Sequence, residues 1–181
     1  RSVPKLSVII ITKNEALNIV DALESVSWAD EIIVVDSGST DETVSLARRY
    51  TNHVNFHEWQ GYGSQKNYAA SLAKNDWILS LDADERVSSK LSTEIRELLT
   101  KTPSHNGYQI PRIVYYLGRW IRSTDWYPDY QLRLYDRRVA TWNANSVHES
   151  VNLKGSVDKL QNELLHYSYK NISDHIVTIN R

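Results

Sequence analysis

Two aspartates separated by one small residue form the sharpest chemical feature of this sequence. Asp82 and Asp84 flank Ala83 and follow directly on the apolar run 77–81, which is typical of a buried strand. Carboxylates that leave a strand together can converge on one divalent ion, and oxygen ligands without cysteine favour Mg²⁺ or Mn²⁺. The alternative is a turn in which the aspartates cap the next helix, since such a short acidic motif also arises by chance.

Two more polar loops follow predicted buried strands in the first half of the chain. Residues 12–15 come after the apolar run 6–11, and residues 36–41 end the run that begins at Glu31. Because ligands of open parallel sheets bind beyond the carboxyl ends of the strands, we expect these loops and the acidic turn to form one site. Neither a G-x-G-x-x-G turn nor a P-loop motif occurs, which argues against a dinucleotide cofactor and a P-loop nucleotidase.

The elements that must position these loops alternate between strand and helix. Four strand–helix units over residues 1–102 predict a parallel sheet with helices on both faces, the α/β Rossmann-like class. Thr40 is the predicted N-cap of the second helix, and Ser88 or Ser89 that of the fourth. After Pro103 the pattern changes to a mixed sheet with aromatic-rich loops. The predicted strands are 6–11, 31–36, 54–59, 77–81, 107–117, 131–135 and 164–169, and the predicted helices are 14–26, one opened by 39–42, 65–73 and one from 88 or 89.

Composition narrows the class of protein. The chain has 181 residues, enough for one domain with a sizeable core, and a net charge of −1, which argues against a nucleic-acid partner. Arg133, Arg137 and Arg138 are expected to form a local basic patch. Cysteine is absent, and no apolar run approaches a membrane span, so we expect a cytoplasmic protein. Six Trp and eleven Tyr against one Phe suit either a carbohydrate surface or an ordinary core.

Three segments resemble a known family. Residues 6–15, 33–43 and 79–85 are similar, in order and spacing, to the inverting glycosyltransferases of family 2, which use the A-type glycosyltransferase fold. In the second half, four shorter segments resemble a bacterial subgroup that includes the lipopolysaccharide core β-1,4-glucosyltransferases; they are 126–129, 131–135, 147–149 and 166–169. The resemblance implies a nucleotide-sugar-binding half at 1–102 and an acceptor-binding, catalytic half of the same domain at 103–181. Residues 179–181 contain no obvious stop signal, so we expect that the sequence can continue beyond them.

The resemblance also implies roles for individual residues around a UDP-sugar donor and Mg²⁺ or Mn²⁺. Asp84 would ligate the metal, Asp82 would meet the ribose or the metal, and His166 would be a late metal ligand. Asp36 would hold the base, and Lys66 would stand where the family often has a basic residue near the phosphates. The implied donor contacts are Thr12, Asn14, Glu15, Asp36, Ser37, Gly38, Asp41, Lys66 and Asp82.

An inverting transfer needs a carboxylate that takes the proton from the acceptor hydroxyl. Family members place this base in a loop after the strand that follows the donor site, so Glu149 is the first candidate and Asp129 the second. His148 would either orient Glu149 or be a loop histidine bonded to backbone.

The subgroup suggests transfer of a hexose, glucose first, to a glycan or lipid-linked acceptor such as the lipopolysaccharide inner core, although the sequence leaves both sugar and acceptor open. A lipid-linked acceptor would bring the protein to the inner face of the cytoplasmic membrane through Arg119, Trp120 and Arg122. One alternative is a sugar-1-phosphate nucleotidyltransferase. That class has a glycine-rich loop directly after the first strand, but this sequence contains no glycine before Gly38. The other is a non-catalytic nucleotide-sugar-binding module.

Overall fold

The computed structural model describes residues 3–116, 118–121, 128–144 and 150–167. Strands and helices alternate along the first half: β1 (Leu6–Thr12), α1 (Ile19–Ser25), β2 (Glu31–Asp36), α2 (Thr43–Ala47), β3 (Val54–Phe56), α3 (Tyr62–Ser71) and β4 (Trp77–Asp82). The rest is mainly strand: β5 (Glu85–Val87), α4 (Ser89–Leu98), β6 (Gly107–Tyr116), β7 (Arg119–Ile121), β8 (Asp129–Asp136), β9 (Ala140–Trp142), β10 (Val151–Leu153), β11 (Val157–Lys159) and β12 (Leu164–Tyr167).

One large sheet runs through both halves of the chain. Its order is β3-β2-β1-β4-β8-β6-β12-β5, with β7 and β11 also paired to β6. The strands β3, β2, β1 and β4 are parallel, whereas β8 runs antiparallel to both β4 and β6. The strand β12 is parallel to β6 and antiparallel to β5. The predicted α/β class, parallel in the first half and mixed in the second, is therefore confirmed.

The central strands are apolar on both faces because helices or other strands cover both faces of the sheet. Val8 and Ile10 of β1 pack on one side in a cluster that includes residues of α1 and α4, while Ile9 packs on the other side with residues of α3 and β9. Such two-sided burial explains why β1, β2 and β4 read as continuous apolar runs in the sequence. Each of these runs ends on a polar residue at the same edge of the sheet.

Several local predictions need correction. Thr40 is not the N-cap of α2, which begins at Thr43 after Glu42, and the backbone amide of Thr43 donates to the side chain of Asp41 instead. The third strand ends at Phe56 rather than at residue 59, and β5 was not anticipated. Ser88 caps α4 by accepting a hydrogen bond from the Leu91 amide, which settles the choice between Ser88 and Ser89.

The expected basic patch does not form. Arg133 is 2% exposed, because it lies within β8 and forms ion pairs in the interior. Arg137 and Arg138 follow the strand and pair with Asp76 and Asp136. Arg137 and Arg138 thus neutralise acids next to the end of β8, whereas Arg133 forms its ion pairs inside the protein.

Within the described ranges, none of the helices has the length and apolar character needed to cross a membrane.

Candidate active site

The predicted polar loops meet at the carboxyl ends of three adjacent strands. Thr12, the last residue of β1, is the register partner of Asp36 at the end of β2. Ile11 is in turn the partner of Asp82 at the end of β4. The acidic turn after β4 and the loops after β1 and β2 therefore leave the sheet side by side, as their positions after apolar runs predict.

Asp36 organises the loop that follows it. Its Oδ2 accepts hydrogen bonds from the backbone amides of Gly38 and Ser39, at 2.9 and 2.7 Å, and its Oδ1 accepts from the hydroxyls of Thr12 and Ser39. Burial pushes the pKa of Asp36 upward, but these four donors lower it below the usual value for aspartate. Gly38 adopts a φ of 115°, which favours glycine. The carboxylate predicted to face a base is thus also the anchor of its own loop.

The loops after β1 and β2 are joined to each other. Asn14 has a φ of 53°. Its side-chain Oδ1 accepts a hydrogen bond from the backbone amide of Thr40 at 2.8 Å, and its backbone amide donates to the hydroxyl of Ser39. Asp41 accepts from the Ala16 amide at 3.2 Å as well as from Thr43. The Ser37 amide bonds to the carbonyl of Thr12, and the Glu15 amide donates to the hydroxyl of Thr43. Apart from Lys66 and Asp82, all the predicted donor contacts therefore lie in these two loops, which hydrogen bonds join to each other.

Asp82 is held between two cations. Its Oδ1 lies 3.6 Å from Nζ of Lys66, and its Oδ2 lies 3.2 Å from Nη2 of Arg133. Although burial alone would raise the pKa of Asp82, Arg133 and Lys66 bring it far below its ordinary value. Lys66 is 1% exposed and lies 4.1 Å from the centre of the Trp142 ring. Lys66 thus approaches the acidic turn from the protein interior and places a positive charge next to the carboxylate of Asp82.

Glu85 is a buried carboxylate that the sequence motif contained but to which we assigned no role. Its Oε1 accepts hydrogen bonds from the Asp82 amide, at 2.9 Å, and from Nη1 of Arg133. Its Oε2 lies 3.2 Å from Nη2 of Arg133 and 3.4 Å from Nη1 of Arg112. Burial raises the pKa of Glu85 against the opposing influence of Arg133. The only sequence signal for this role was its place at the end of the acidic motif.

Asp84 and His166 come together from distant parts of the chain. Nε2 of His166 lies 2.9 Å from Oδ2 of Asp84, and the Tyr167 amide donates to the Asp84 carbonyl at 2.9 Å. The strands β12 and β5 bring them together, since His166 is the register partner of Glu85. Burial lowers the pKa of His166, but the bond to Asp84 outweighs it and leaves that pKa above the ordinary value. Both side chains remain partly exposed, at 33% for Asp84 and 21% for His166.

The chemistry of this donor set suits a divalent cation. A carboxylate oxygen and an imidazole nitrogen that already approach each other, and that are both reachable from solvent, can serve as two ligands of one ion. Among the described residues, no group of three or more acidic or histidine side chains is arranged to enclose a metal by itself.

The two candidate bases stand differently. Asp129 lies at the start of β8, where its Oδ2 accepts from Nη2 of Arg112 at 3.0 Å and its Oδ1 from Gln131 at 2.8 Å. Glu149 and its neighbour His148 lie outside the described residues. Asp129 is thus tied to Arg112, and through it to Glu85, at the same site as the acidic turn.

The fold is the A-type glycosyltransferase fold, as a comparison with proteins of known structure shows. Residues 1–349 of TarS from Staphylococcus aureus, in complex with UDP-GlcNAc, superpose with a TM-score of 0.66 at 17% identity, over 91% of this chain and 58% of that TarS fragment. The mannosyltransferase PcManGT from Pyrobaculum calidifontis, in complex with GDP-Man and Mn²⁺, superposes with a TM-score of 0.53 at 25% identity, over 61% of this chain and 36% of that protein.

The chain belongs to glycosyl transferase family 2, whose model matches residues 7–160. It is 30% identical to the lipopolysaccharide core biosynthesis glycosyltransferase LpsC of Rhizobium meliloti, over 99% of this chain and 70% of LpsC. It also spans 55–67% of the length of several Rickettsia glycosyltransferases, to which it is 36–39% identical.

Proposed function

We propose that this chain carries the donor site and catalytic centre of a metal-dependent inverting glycosyltransferase that moves a hexose, glucose first, from a UDP-sugar to a hydroxyl of a glycan or lipid-linked saccharide. The single observation that carries the proposal is the contact of Asp84 with His166 at the sheet edge where the loops after β1 and β2 also end. A nucleotide on these loops would direct its diphosphate toward a metal held by Asp84.

In this proposal the first half of the chain, residues 1–102, binds the donor. The loop after Asp36 offers its remaining backbone and hydroxyl groups to the uridine, and the carboxylate of Asp36 keeps that loop in shape. Asp82 meets the ribose or the metal, with its charge balanced from behind by Lys66 and Arg133. The nucleotide in the TarS complex, UDP-GlcNAc, supports a uridine donor.

Mg²⁺ or Mn²⁺, held by Asp84 and His166 with or without Asp82, would supply positive charge that stabilises the leaving diphosphate. The Mn²⁺ in the PcManGT complex supports this choice of ion.

Residues 103–181 would bind the acceptor and remove its proton. The sugar's anomeric carbon forms a bond to the acceptor oxygen as its bond to the diphosphate oxygen breaks, and a carboxylate takes the hydroxyl proton. Glu149 remains our first choice for this base. Asp129 already accepts hydrogen bonds on both oxygens, from Arg112 and Gln131, so acting as base would require it to give up one of these contacts.

The similarity to LpsC supports an acceptor in lipopolysaccharide core synthesis. A lipid-linked acceptor would bring the protein to the inner face of the cytoplasmic membrane, with Arg119 and Trp120, both exposed on β7, among the residues at its surface.

A donor screen tests this function directly. The chain is incubated with UDP-glucose, UDP-galactose, UDP-GlcNAc and GDP-mannose in the presence of Mn²⁺ or Mg²⁺, with a lipopolysaccharide core acceptor, and nucleotide release is measured. Release from a UDP-hexose that depends on both metal and acceptor supports the proposal. Release from GDP-mannose alone would reject the uridine donor, and transfer that persists in excess chelator would reject the metal.

A further inference from the structure

Glu85 lies at the centre of a chain of charged side chains that connects the two sides of the site. It is 0% exposed, and its two oxygens contact Arg133, Arg112 and the amide of Asp82. A fully buried carboxylate is strongly unfavourable unless cations and hydrogen bonds compensate for the loss of water. Here two guanidinium groups and one backbone amide do so.

From Glu85 the contacts extend in two directions. On the donor side, Arg133 bridges Glu85 to Oδ2 of Asp82, whose other oxygen faces Lys66. On the other side, Arg112 reaches Glu85 with Nη1 and the Oδ2 of Asp129 with Nε and Nη2, at 3.2 and 3.0 Å. The network matches three carboxylates with three cations: Asp82, Glu85 and Asp129 with Lys66, Arg112 and Arg133.

We propose that Glu85 is a positioning residue that holds the Asp82–Asp84 turn and the Arg112–Asp129 pair in one fixed arrangement, without itself ligating the metal. The hydrogen bond from the Asp82 amide to Glu85 closes the acidic turn across three residues, which restricts the direction in which Asp84 leaves β4. Arginine suits the two bridging positions because its planar fork can contact two carboxylates at once.

The proposed role differs from that of a ligand because of where the oxygens of Glu85 point. Both oxygens contact guanidinium groups and Glu85 itself is 0% exposed, whereas Asp84 and His166 are partly open to solvent. A metal therefore reaches Asp84 and His166 first, and Glu85 acts on it through the backbone of the turn. Groups that orient metal ligands in this way affect metal affinity without touching the ion.

The inference rests on the proposed function, and calorimetry of UDP binding with and without Mn²⁺ tests it. We compare wild type with Glu85→Gln, which keeps the shape but removes the charge. The matched control is Glu31→Gln, the same change at another buried glutamate, whose Oε1 accepts from Ser7 and from the Lys74 amide at the amino end of β2, the opposite edge of the sheet.

The readout is the increase in UDP affinity that Mn²⁺ produces, because a loss of stability alone leaves that increase unchanged in the folded fraction. We expect Glu85→Gln to reduce it about 10- to 100-fold and Glu31→Gln to leave it intact. An unchanged increase in Glu85→Gln overturns the positioning role. If wild type itself shows no Mn²⁺-dependent UDP binding, the proposed function fails instead, so the two failures are distinguishable.

A second variant covers the case in which Glu85→Gln does not fold. Arg112→Lys keeps the positive charge at a position whose side chain is 22% exposed, but removes the fork that joins Glu85 to Asp129. We expect a smaller reduction of the Mn²⁺ effect than in Glu85→Gln, together with an unchanged melting temperature. A Mn²⁺ effect equal to that of wild type in Arg112→Lys overturns the proposal on its own.

Discussion

Nε2 of His166 lies 2.9 Å from Oδ2 of Asp84, although 82 positions separate the two residues in the chain. The pairing of β12 with β5 creates this contact, and the amide of Tyr167 reinforces it by donating to the Asp84 carbonyl. The acidic turn after β4 and a histidine from the last described strand are thus in contact at the carboxyl edge of the sheet.

Replacing Asp84 should abolish metal-dependent donor binding. In Asp84→Ala the carboxylate nearest His166 is gone, so Mn²⁺ loses a hard oxygen ligand while the nucleotide loops stay in place. Calorimetry with UDP and Mn²⁺ measures the effect. The control is Asp158→Ala, which breaks another aspartate–histidine contact, that of Asp158 in β11 with His105 just before β6, and should bind UDP as wild type does. UDP affinity unchanged in Asp84→Ala would remove this residue from the metal site.

His166→Ala should weaken Mn²⁺ binding less severely than loss of Asp84. The imidazole is the second predicted ligand and also a hydrogen-bond partner of the carboxylate. We expect about a 10- to 100-fold loss of Mn²⁺ affinity in the presence of UDP, as measured by titration of the electron paramagnetic resonance signal of free Mn²⁺. His105→Ala, at the other aspartate–histidine contact, serves as control. Equal Mn²⁺ affinities in the two variants would show that His166 has no part in metal binding.

Glu149→Gln should leave UDP binding intact but reduce turnover by about a hundredfold or more, as expected for loss of a general base. Asp129→Asn is the comparison, because Asp129 already accepts from Arg112 and Gln131. Steady-state transfer rates and calorimetric UDP affinities separate catalysis from binding. If Asp129→Asn loses turnover while Glu149→Gln retains it, the base is Asp129.

Stability should fall in acid partly through Asp36. The pKa of this carboxyl is lowered in the folded state by its four hydrogen-bond donors, despite burial. Its contribution is therefore present above the unfolded-state pKa of about 3.9 and is lost as pH falls through the lower folded-state value. Asp36→Asn should be less stable than wild type at neutral pH and should lose less on acidification from about pH 6 to about pH 3. Urea unfolding at several pH values measures this, and parallel curves for the two proteins would contradict it.

A side chain at Gly63 should destabilise the protein. A Cβ at this position of α3 would collide with the backbone of Asn143 and crowd that of Ala144. Because these are main-chain atoms, we expect Gly63→Ala to cost about 1–3 kcal/mol of stability. It should also disturb Lys66, one turn along the same helix. Ser64→Ala, the next position on α3, is the control, and equal melting temperatures for the two variants would show that α3 can move away from residues 143–144.

The strand ends were predictable from sequence because burial on both faces leaves a continuous apolar run that stops at a polar residue. This is how residues 12, 36 and 82 were placed on one edge. The partners across the site were not predictable in the same way. The sequence groups Arg133 with Arg137 and Arg138, but the burial of Arg133 depends on β8 lying beside β4, a pairing between distant segments. The role of Glu85 likewise depends on Arg112 and Arg133, which arrive from β6 and β8.

The central claim is that the acidic turn and His166 hold a metal that binds the diphosphate of a UDP-sugar. Thermal unfolding of the chain with UDP, with Mn²⁺ or Mg²⁺, and with both tests it most directly, since a ligand that binds only the folded state raises the melting temperature. We predict a clear increase in melting temperature with UDP and metal together and little change with either alone. No increase under any of these conditions, or an increase with UDP that metal does not enlarge, would contradict it.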